Sequence, residues 1–455
     1  VLRVFVIDRE RRIRNVYSSS FLHADTVLSD LRTLEMEHSA ASGVPDVPLA
    51  TTTREPATNT EISLHGAGDV KDGYEAHDYR SRSKSLASRD GEAVDLMALL
   101  AEPPLGLPPV PVPPDNPVTA AKVALGRKLF FDRRLSRNRT LSCAMCHIPE
   151  QGFTSHEMAT AVGIEGRTVR RNAPTLYNVG HAELLFHDGR ERLLEQQIWG
   201  PLLAVNEMGN PSVGFVLDTL ASLPDYAGLF EAAFEDRGPT METLGMALAS
   251  YQRTLISGHS PFDRWRYGKD EAAVSEAAAR GYELFTGKAG CSNCHRIGDR
   301  HALFTDHGLH DTGIGYRRTM ARDPETLEVQ VGPGVFVTVD AATVAAASEP
   351  RAADLGRYEI TEDPADRWKY RTPSLRNIAL TAPYMHDGSI ATLREVVEFY
   401  DGGGVEHELL DANIEPLGLE TTEIEDLVAF LDALTGDDVD ILLADAFAAP
   451  VGDPH

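Results

Sequence analysis

Cysteine is scarce in this chain: four in 455 residues. Positive charge is short too. Lys plus Arg number 43 against 69 Asp plus Glu, a formal net charge of −26. Such a chain repels phosphate backbones and anionic lipid surfaces, which makes nucleic acid a poor partner. Long apolar runs are missing; none approaches the ~18 residues that cross a bilayer, so no membrane span is expected. No secretory leader opens the sequence, because Val1 to Arg14 is charged and strand-like, and the expectation is that the natural N-terminus is missing. Hydrophobic residues at 42% and charged residues at 25% still allow sizeable cores. The length suggests two or three domains.

The few cysteines form two pairs, Cys143-Ala-Met-Cys146-His147 and Cys291-Ser-Asn-Cys294-His295. Both read C-x-x-C-H, the attachment signature of c-type haem: two thiols add to the vinyl groups and the histidine binds iron from one side. With 16 His in 455 residues, chance would place His after both pairs about once in 800. A zinc ribbon would bring its pairs together across ~15–20 residues, and these lie far further apart. No cysteine remains for a disulfide. Two covalent haems are expected.

The organisation along the chain follows. Residues 1–34 read as a β-hairpin with its turn at Asp8 to Arg11, then a helix over His23 to Leu34. Residues 35–100 have linker composition with weak periodicity. Eight prolines between 103 and 117 make a stiff lead-in. Helical patterns then dominate, at Thr119 to Phe130, Met241 to Ile256, Glu271 to Phe285, Thr392 to Tyr400 and Thr421 to Leu434. Gly126-Arg-Lys-Leu-Phe130 precedes the first motif and Gly281-Tyr-Glu-Leu-Phe285 the second, as if one haem-binding unit had been duplicated. The expected fold is mainly α, two cytochrome c-like haem domains at 101–258 and 259–455 behind the N-terminal hairpin and linker.

The segments GRKLFFDRRLSRNRTLSCAMCHIPEQGFT (126–154), RRNAPTLYN (170–178), EQQIWGPLLAVNEM (195–208) and RTPSLRNIALTAPYMHDGSIATLREVVEFY (371–400) resemble the bacterial di-haem cytochrome c peroxidases, more closely their MauG-like branch. The resemblance covers about Pro103 to Gly436. Residues 1–34 are similar to the last hairpin and helix of SCO-type copper chaperones, without any cysteine. The MauG-like resemblance implies a periplasmic enzyme that uses hydrogen peroxide. It makes the first haem the peroxide-reactive one, with His147 as proximal ligand. Conventional members close the distal side with a histidine in the loop after the motif; here that stretch is Val162-Gly-Ile-Glu-Gly166, and His156 does not match its position.

The resemblance further places Glu207 as distal acid–base, with Gln197 and Pro201 beside it. Phe186-His187-Asp188-Gly189-Arg190 stands where the family often has a tryptophan, so His187 is a candidate second proton donor. The second haem, on Cys291, Cys294 and His295, has Tyr400 where conventional peroxidases place a methionine, and Met385 is the rival ligand. A tyrosine ligand favours the oxidised metal, a thioether the reduced one. Asn172, Thr381 and Pro383 match a calcium site between the haems, a hard cation suited to oxygen donors. Trp199, Trp265 and Trp368 are the only tryptophans available to relay charge. The expected function is MauG-like: an oxidised state shared by both haems that draws electrons from a Trp or Tyr of a partner protein, in a copper-related context if the tail is a guide. The alternative is a plain peroxidase fed by a cytochrome c or cupredoxin.

Overall fold

The computed structural model describes residues 3–7, 13–18, 92–156, 158–320, 325–332, 335–347 and 353–448. The fold is mainly helical, as expected, and its described strands form three two-stranded antiparallel pairs. In the first, Arg3–Ile7 pairs with Ile13–Ser18, Arg3 opposite Ser18. The helix expected over 23–34 and the linker over 35–91 lie outside the described residues. The end of that linker stretch is ordered. Asp95 accepts from Met97 and Ala98 N and starts the helix Leu96–Ala101, which buries Leu96.

Two large apolar clusters, with two small ones beside them, form the interior of the described residues. One gathers buried side chains from Leu96 to Leu255, including Phe130, Phe131, Trp199 and Tyr251. The other runs from Phe262 to Leu434 around Phe285, Phe304 and Phe430. The helix Val439–Ala448 follows the second cluster in sequence yet packs Leu442 and Ala446 into the first. An ion pair from Arg127 to the buried Asp445, 2.5 Å, holds it there.

The sequence echo has a packing cause. Thr119 caps the helix Ala120–Phe131, which crosses the helix Met241–Gln252. At the crossing stands Gly126, where a Cβ would lie 2.0 Å from Ala247 O and 2.9 Å from Tyr251 Cβ. In the second unit Ser275 caps Glu276–Thr286, which crosses Thr421–Asp432. A Cβ on Gly281 would lie 2.0 Å from Asp426 O and 2.8 Å from Phe430 Cβ. Only a residue without a side chain lets the backbones approach so closely. The echoed phenylalanines then lock each crossing, Phe130 against Tyr251 at 5.3 Å and Phe285 against Phe430 at 5.0 Å between ring centroids.

Helix ends moved where local hydrogen bonds compete. The pattern over Met241 to Ile256 stops at Gln252, and Thr254 turns its hydroxyl onto Tyr251 O at 2.7 Å. The pattern over Glu271 to Phe285 begins five residues late, because Asp270 first holds Ala272 N in a turn.

The proline-rich lead-in joins the two clusters. Gly106 takes φ +88° and presses so close to Asp263 that a Cβ would lie 1.8 Å from its Oδ1. Its carbonyl accepts from Arg376 Nη2 at 2.6 Å and from Ala302 N at 3.1 Å. Arg376 and Asp263 form an ion pair at 2.8 Å that is almost wholly buried. Two residues on, Pro108 O meets His181 Nε2 at 3.0 Å in the first unit.

Candidate functional site

Each C-x-x-C-H motif winds into a single 3₁₀ turn. At the first, Cys146 N and His147 N both donate to Cys143 O, at 3.2 and 2.9 Å. At the second, Cys294 N and His295 N donate to Cys291 O, at 3.3 and 2.9 Å. The turn sets two thiols and one imidazole to act together, and none of the four cysteines is in a disulfide. Both histidines are oriented from behind. His147 Nδ1 meets Phe153 O at 3.1 Å and His295 Nδ1 meets Phe304 O at 2.8 Å. Each contact leaves Nε2 for a metal, and burial pushes both imidazoles below their ordinary pKa, toward the neutral form that ligates.

A cavity of about 340 Å³ opens beside His295. Cys291 and Cys294 line it, and so do Tyr400 and Met385, the two rival ligands. Burial pushes the Tyr400 hydroxyl up, helped by the neighbouring cysteine sulfurs. Arg371 borders the same cavity, half-buried, and among the described residues its guanidinium finds only the carbonyls of Phe186 and Thr372 as acceptors, at 3.2 and 3.4 Å. A guanidinium without a carboxylate partner suits the acidic side groups of a haem. Turn, imidazole, apolar cavity and cation together fit the group.

The calcium candidates also meet at this cavity. Asn172, Thr381 and Pro383 all border it. Asn172 Nδ2 donates to Ala159 O at 2.9 Å, which turns its Oδ1 the other way. Among the described residues nothing donates to Thr381 O or Pro383 O. An amide oxygen and two open carbonyls are a donor set that a hard cation accepts.

The residues expected on the distal side of the first site stand on or after two short helices, Leu194–Gln197 and Trp199–Leu203. Gln197 and Pro201 lie on them, and Glu207 follows in a turn closed by Glu207 N to Ala204 O, 3.0 Å. Burial raises the Glu207 carboxyl above its usual range, opposed by Arg190. Burial pushes the Cys146 thiol up, and the nearby Glu207 adds to the effect. The loop that lacks the expected histidine is pinned. Val162 bridges to Thr168, and Ile164 N donates to Glu207 O at 2.9 Å. Gly163 lies so near that a Cβ would meet Asn206 O at 2.0 Å and Glu207 Cα at 2.7 Å. His156 turns its ring to Leu380 O.

His187 lies on the cavity beside the second site. Its Nε2 meets Asn172 O at 2.9 Å, and burial and the nearby Arg371 push its pKa down to about 3. Its titratable neighbours are Arg371, His386 and Arg171, whereas that of Glu207 is Arg190. Trp199 belongs to the first core and Trp265 packs against Tyr282 at 5.2 Å in the second.

One repeat escaped the sequence reading. His187-Asp-Gly and His386-Asp-Gly, Asn178 and Asn377, and Leu185 and Tyr384 stand at a constant offset of 199 positions. Asn178 and Asn377 share φ 59°, Phe186 and Met385 take φ 60° and 70°, and the bridges Leu185–Glu191 and Tyr384–Ile390 coincide. The doubled H-D-G was the available signal. The same offset sets Gln197 opposite Val396 and Pro201 opposite Tyr400. Where the second site offers a phenol, the first offers a side chain without a donor atom.

The comparisons agree with this geometry. The family model described as di-haem cytochrome c peroxidase matches residues 120–271. A cytochrome-c peroxidase IdrP1 from Denitromonas iodatirespirans is 40% identical over 73% of this chain and 86% of its own. The methylamine utilization protein MauG from Methylorubrum extorquens is 37% identical over 79% and 90%. The crystal structure of a MauG-like protein associated with microbial copper homeostasis aligns with TM-score 0.60 and 33% identity, over 74% of this chain and 96% of that one. With two haem c attachment turns, a fold shared with its relatives and coverage of most of their length, this chain belongs to the di-haem cytochrome c peroxidase family of peroxide-dependent oxidoreductases.

Proposed function

We propose that this protein is a MauG-like periplasmic enzyme that uses hydrogen peroxide to oxidise a tryptophan or tyrosine of a partner protein at a distance. The observation that carries this reading is the asymmetry between Pro201 and Tyr400 at equivalent positions of the repeat. When bound, two haem c groups would supply the redox chemistry, the two-electron oxidation by peroxide and its transfer in one-electron steps. His147 and His295 hold the irons, and Cys143, Cys146, Cys291 and Cys294 fix the macrocycles.

The protein's own residues divide the remaining tasks. Glu207, raised by burial, takes a proton from one peroxide oxygen and returns it to the other. The Val162–Thr168 strap holds the Glu207 backbone and leaves the distal face without a histidine. Gln197 and Pro201 shape that face. His187 is committed to Asn172 O within its own half and held neutral by burial, which leaves proton transfer to Glu207. Tyr400 is the second ligand of the His295 site. Asn172, Thr381 and Pro383 hold calcium between the sites.

One feature favours a second reading. Met385 borders the same cavity as Tyr400; a thioether ligand would raise the potential and make a plain peroxidase, supplied by a reduced cytochrome. Two measurements decide. The ferric holoenzyme should show one high-spin and one low-spin haem by electron paramagnetic resonance, and turn over peroxide slowly with reduced cytochrome c. Two low-spin signals, or brisk steady-state turnover, would refute the MauG-like reading.

A further inference from the structure

We propose that Tyr370, Trp368 and Tyr316 form a relay that carries single electrons from a protein donor at the Tyr316 face to the cavity beside the haem sites. This rests on the reading above, that oxidising equivalents leave the haems as electron transfers. The inner end is Tyr370. Its ring stacks on His386 at 3.5 Å and 10°, and both border the cavity lined by Cys291, His295 and Tyr400. Gly315 takes the contact outward. A Cβ there would lie 2.9 Å from the Tyr370 hydroxyl and 3.1 Å from Trp368 Cβ, so both aromatic residues press on one patch of bare backbone. Trp368 meets Tyr316 edge-on at 5.1 Å, and Tyr316 stacks on His407 at 4.3 Å and 8°. His407 is fixed in turn by the buried Asp311, 2.8 Å away. Trp368 is buried and Tyr316 half-buried, so the run of rings reaches solvent at Tyr316.

Three observations set these rings apart from ordinary packing. They belong to neither of the two large apolar clusters. Trp368 takes φ +58°, a left-handed conformation that strains a bulky residue and that clusters at functional positions. Its indole N–H is buried without an acceptor among the described residues, although buried tryptophans ordinarily find one.

That last defect suits a relay. An indole that loses an electron becomes acidic; with no acceptor among the described residues it keeps its proton and hands the positive hole onward. The Tyr370 hydroxyl donates to Asp354 O at 3.3 Å, so the proton that an oxidised phenol sheds moves along this hydrogen bond and returns when the ring is reduced. Both rings therefore return to their starting state after each passage. The balance is simple: hydrogen peroxide takes two electrons and two protons and gives two waters, the donor loses one electron in each of two passages, and the relay ends unchanged.

The test uses the holoenzyme with Trp368→Phe and Tyr316→Phe, each retaining a ring. Single-turnover mixing with peroxide should form the oxidised state at the wild-type rate in both. Its reduction by reduced cytochrome c, too large to enter the cavities, should slow by about tenfold or more, while reduction by ascorbate stays unchanged. With peroxide and no donor, peptide mapping should find added oxygen at Trp368 or Tyr316 of the wild type. Wild-type cytochrome rates in both variants, or unmodified Trp368 and Tyr316, would overturn the relay. A wild-type protein that forms no oxidised state at all would instead sink the function on which the relay rests.

Discussion

Substituting Gly163 by alanine tests how the peroxide site is held. A methyl group there would lie 2.0 Å from Asn206 O, 2.7 Å from its carbonyl carbon and 2.7 Å from Glu207 Cα. All three are backbone atoms, so no side chain can rotate away and either the strap or the Glu207 turn must shift. Overpacking of this kind costs about 1–3 kcal/mol. The move needed to restore contact is about an ångström, and a misplacement of that size can cost about 10²-fold in rate. Gly163→Ala should therefore slow formation of the peroxide-oxidised state by about 10²-fold while both haems stay attached. Glu207→Gln sets the scale, because losing the acid–base group outright should cost about 10²–10⁴-fold. Combining the two should add little to Glu207→Gln alone, since both act through one carboxylate. Stopped-flow absorbance against peroxide concentration gives the rates, and thermal unfolding reports the packing cost. A Gly163→Ala protein that reacts at the wild-type rate would refute the claim that the strap positions Glu207.

Acid should silence the reaction earlier than an ordinary carboxylate would allow. The Glu207 carboxyl must be ionised to accept a proton and its pKa is raised by burial, so the rate falls as pH drops through a value above the usual ~4.3; the profile of Glu207→Gln should lack this limb, and a flat wild-type profile would contradict the assignment. Tyr400→Phe should open a coordination position and change the spin state of one haem. A low-spin spectrum identical to wild type would transfer the ligand role to Met385, whose replacement by leucine should then produce the change. Gly126→Ala forces the first helix crossing apart against Ala247 O and should lower stability by about 1–3 kcal/mol. An unaltered melting temperature would mean the helices have room that the structure does not show.

The haem attachments were legible because the chemistry itself dictates C-x-x-C-H, and the helices because their apolar stripes and caps such as Thr119 and Thr392 are local signals, although the cap at Ser275 went unread inside the expected Glu271 to Phe285 helix. The pinned loop was only half legible. The lack of histidine between Val162 and Gly166 could be read, whereas the contact of Gly163 with Glu207 depends on residues more than forty positions apart. His187 shows the same limit: its residue type suggested a proton donor, but its burial and its bond to Asn172 O come from tertiary structure. The packing of Val439–Ala448 into the first core left no trace in its own periodicity. The repeat at 199 positions was hidden by its weak identity, for Pro201 and Tyr400 share neither chemistry nor size.

The Gly106 carbonyl has a consequence for any attempt to divide this protein. Duplicated units invite separate expression, one haem each, with a cut near Gly258. The second half made alone would keep the buried Arg376–Asp263 pair but lose the acceptor at 2.6 Å that completes the Arg376 guanidinium. It would also lose the partner of Ala302 N. A buried charged donor left unmet costs about 1–3 kcal/mol or more. The first half made alone would lack Leu442 and Ala446 from its core and Asp445 from Arg127. Each half thus borrows a segment from beyond the other's far end, the first from the C-terminus and the second from the N-terminal lead-in. Synthesis from the N-terminus therefore cannot complete the first core until the last helix, Val439–Ala448, has been made.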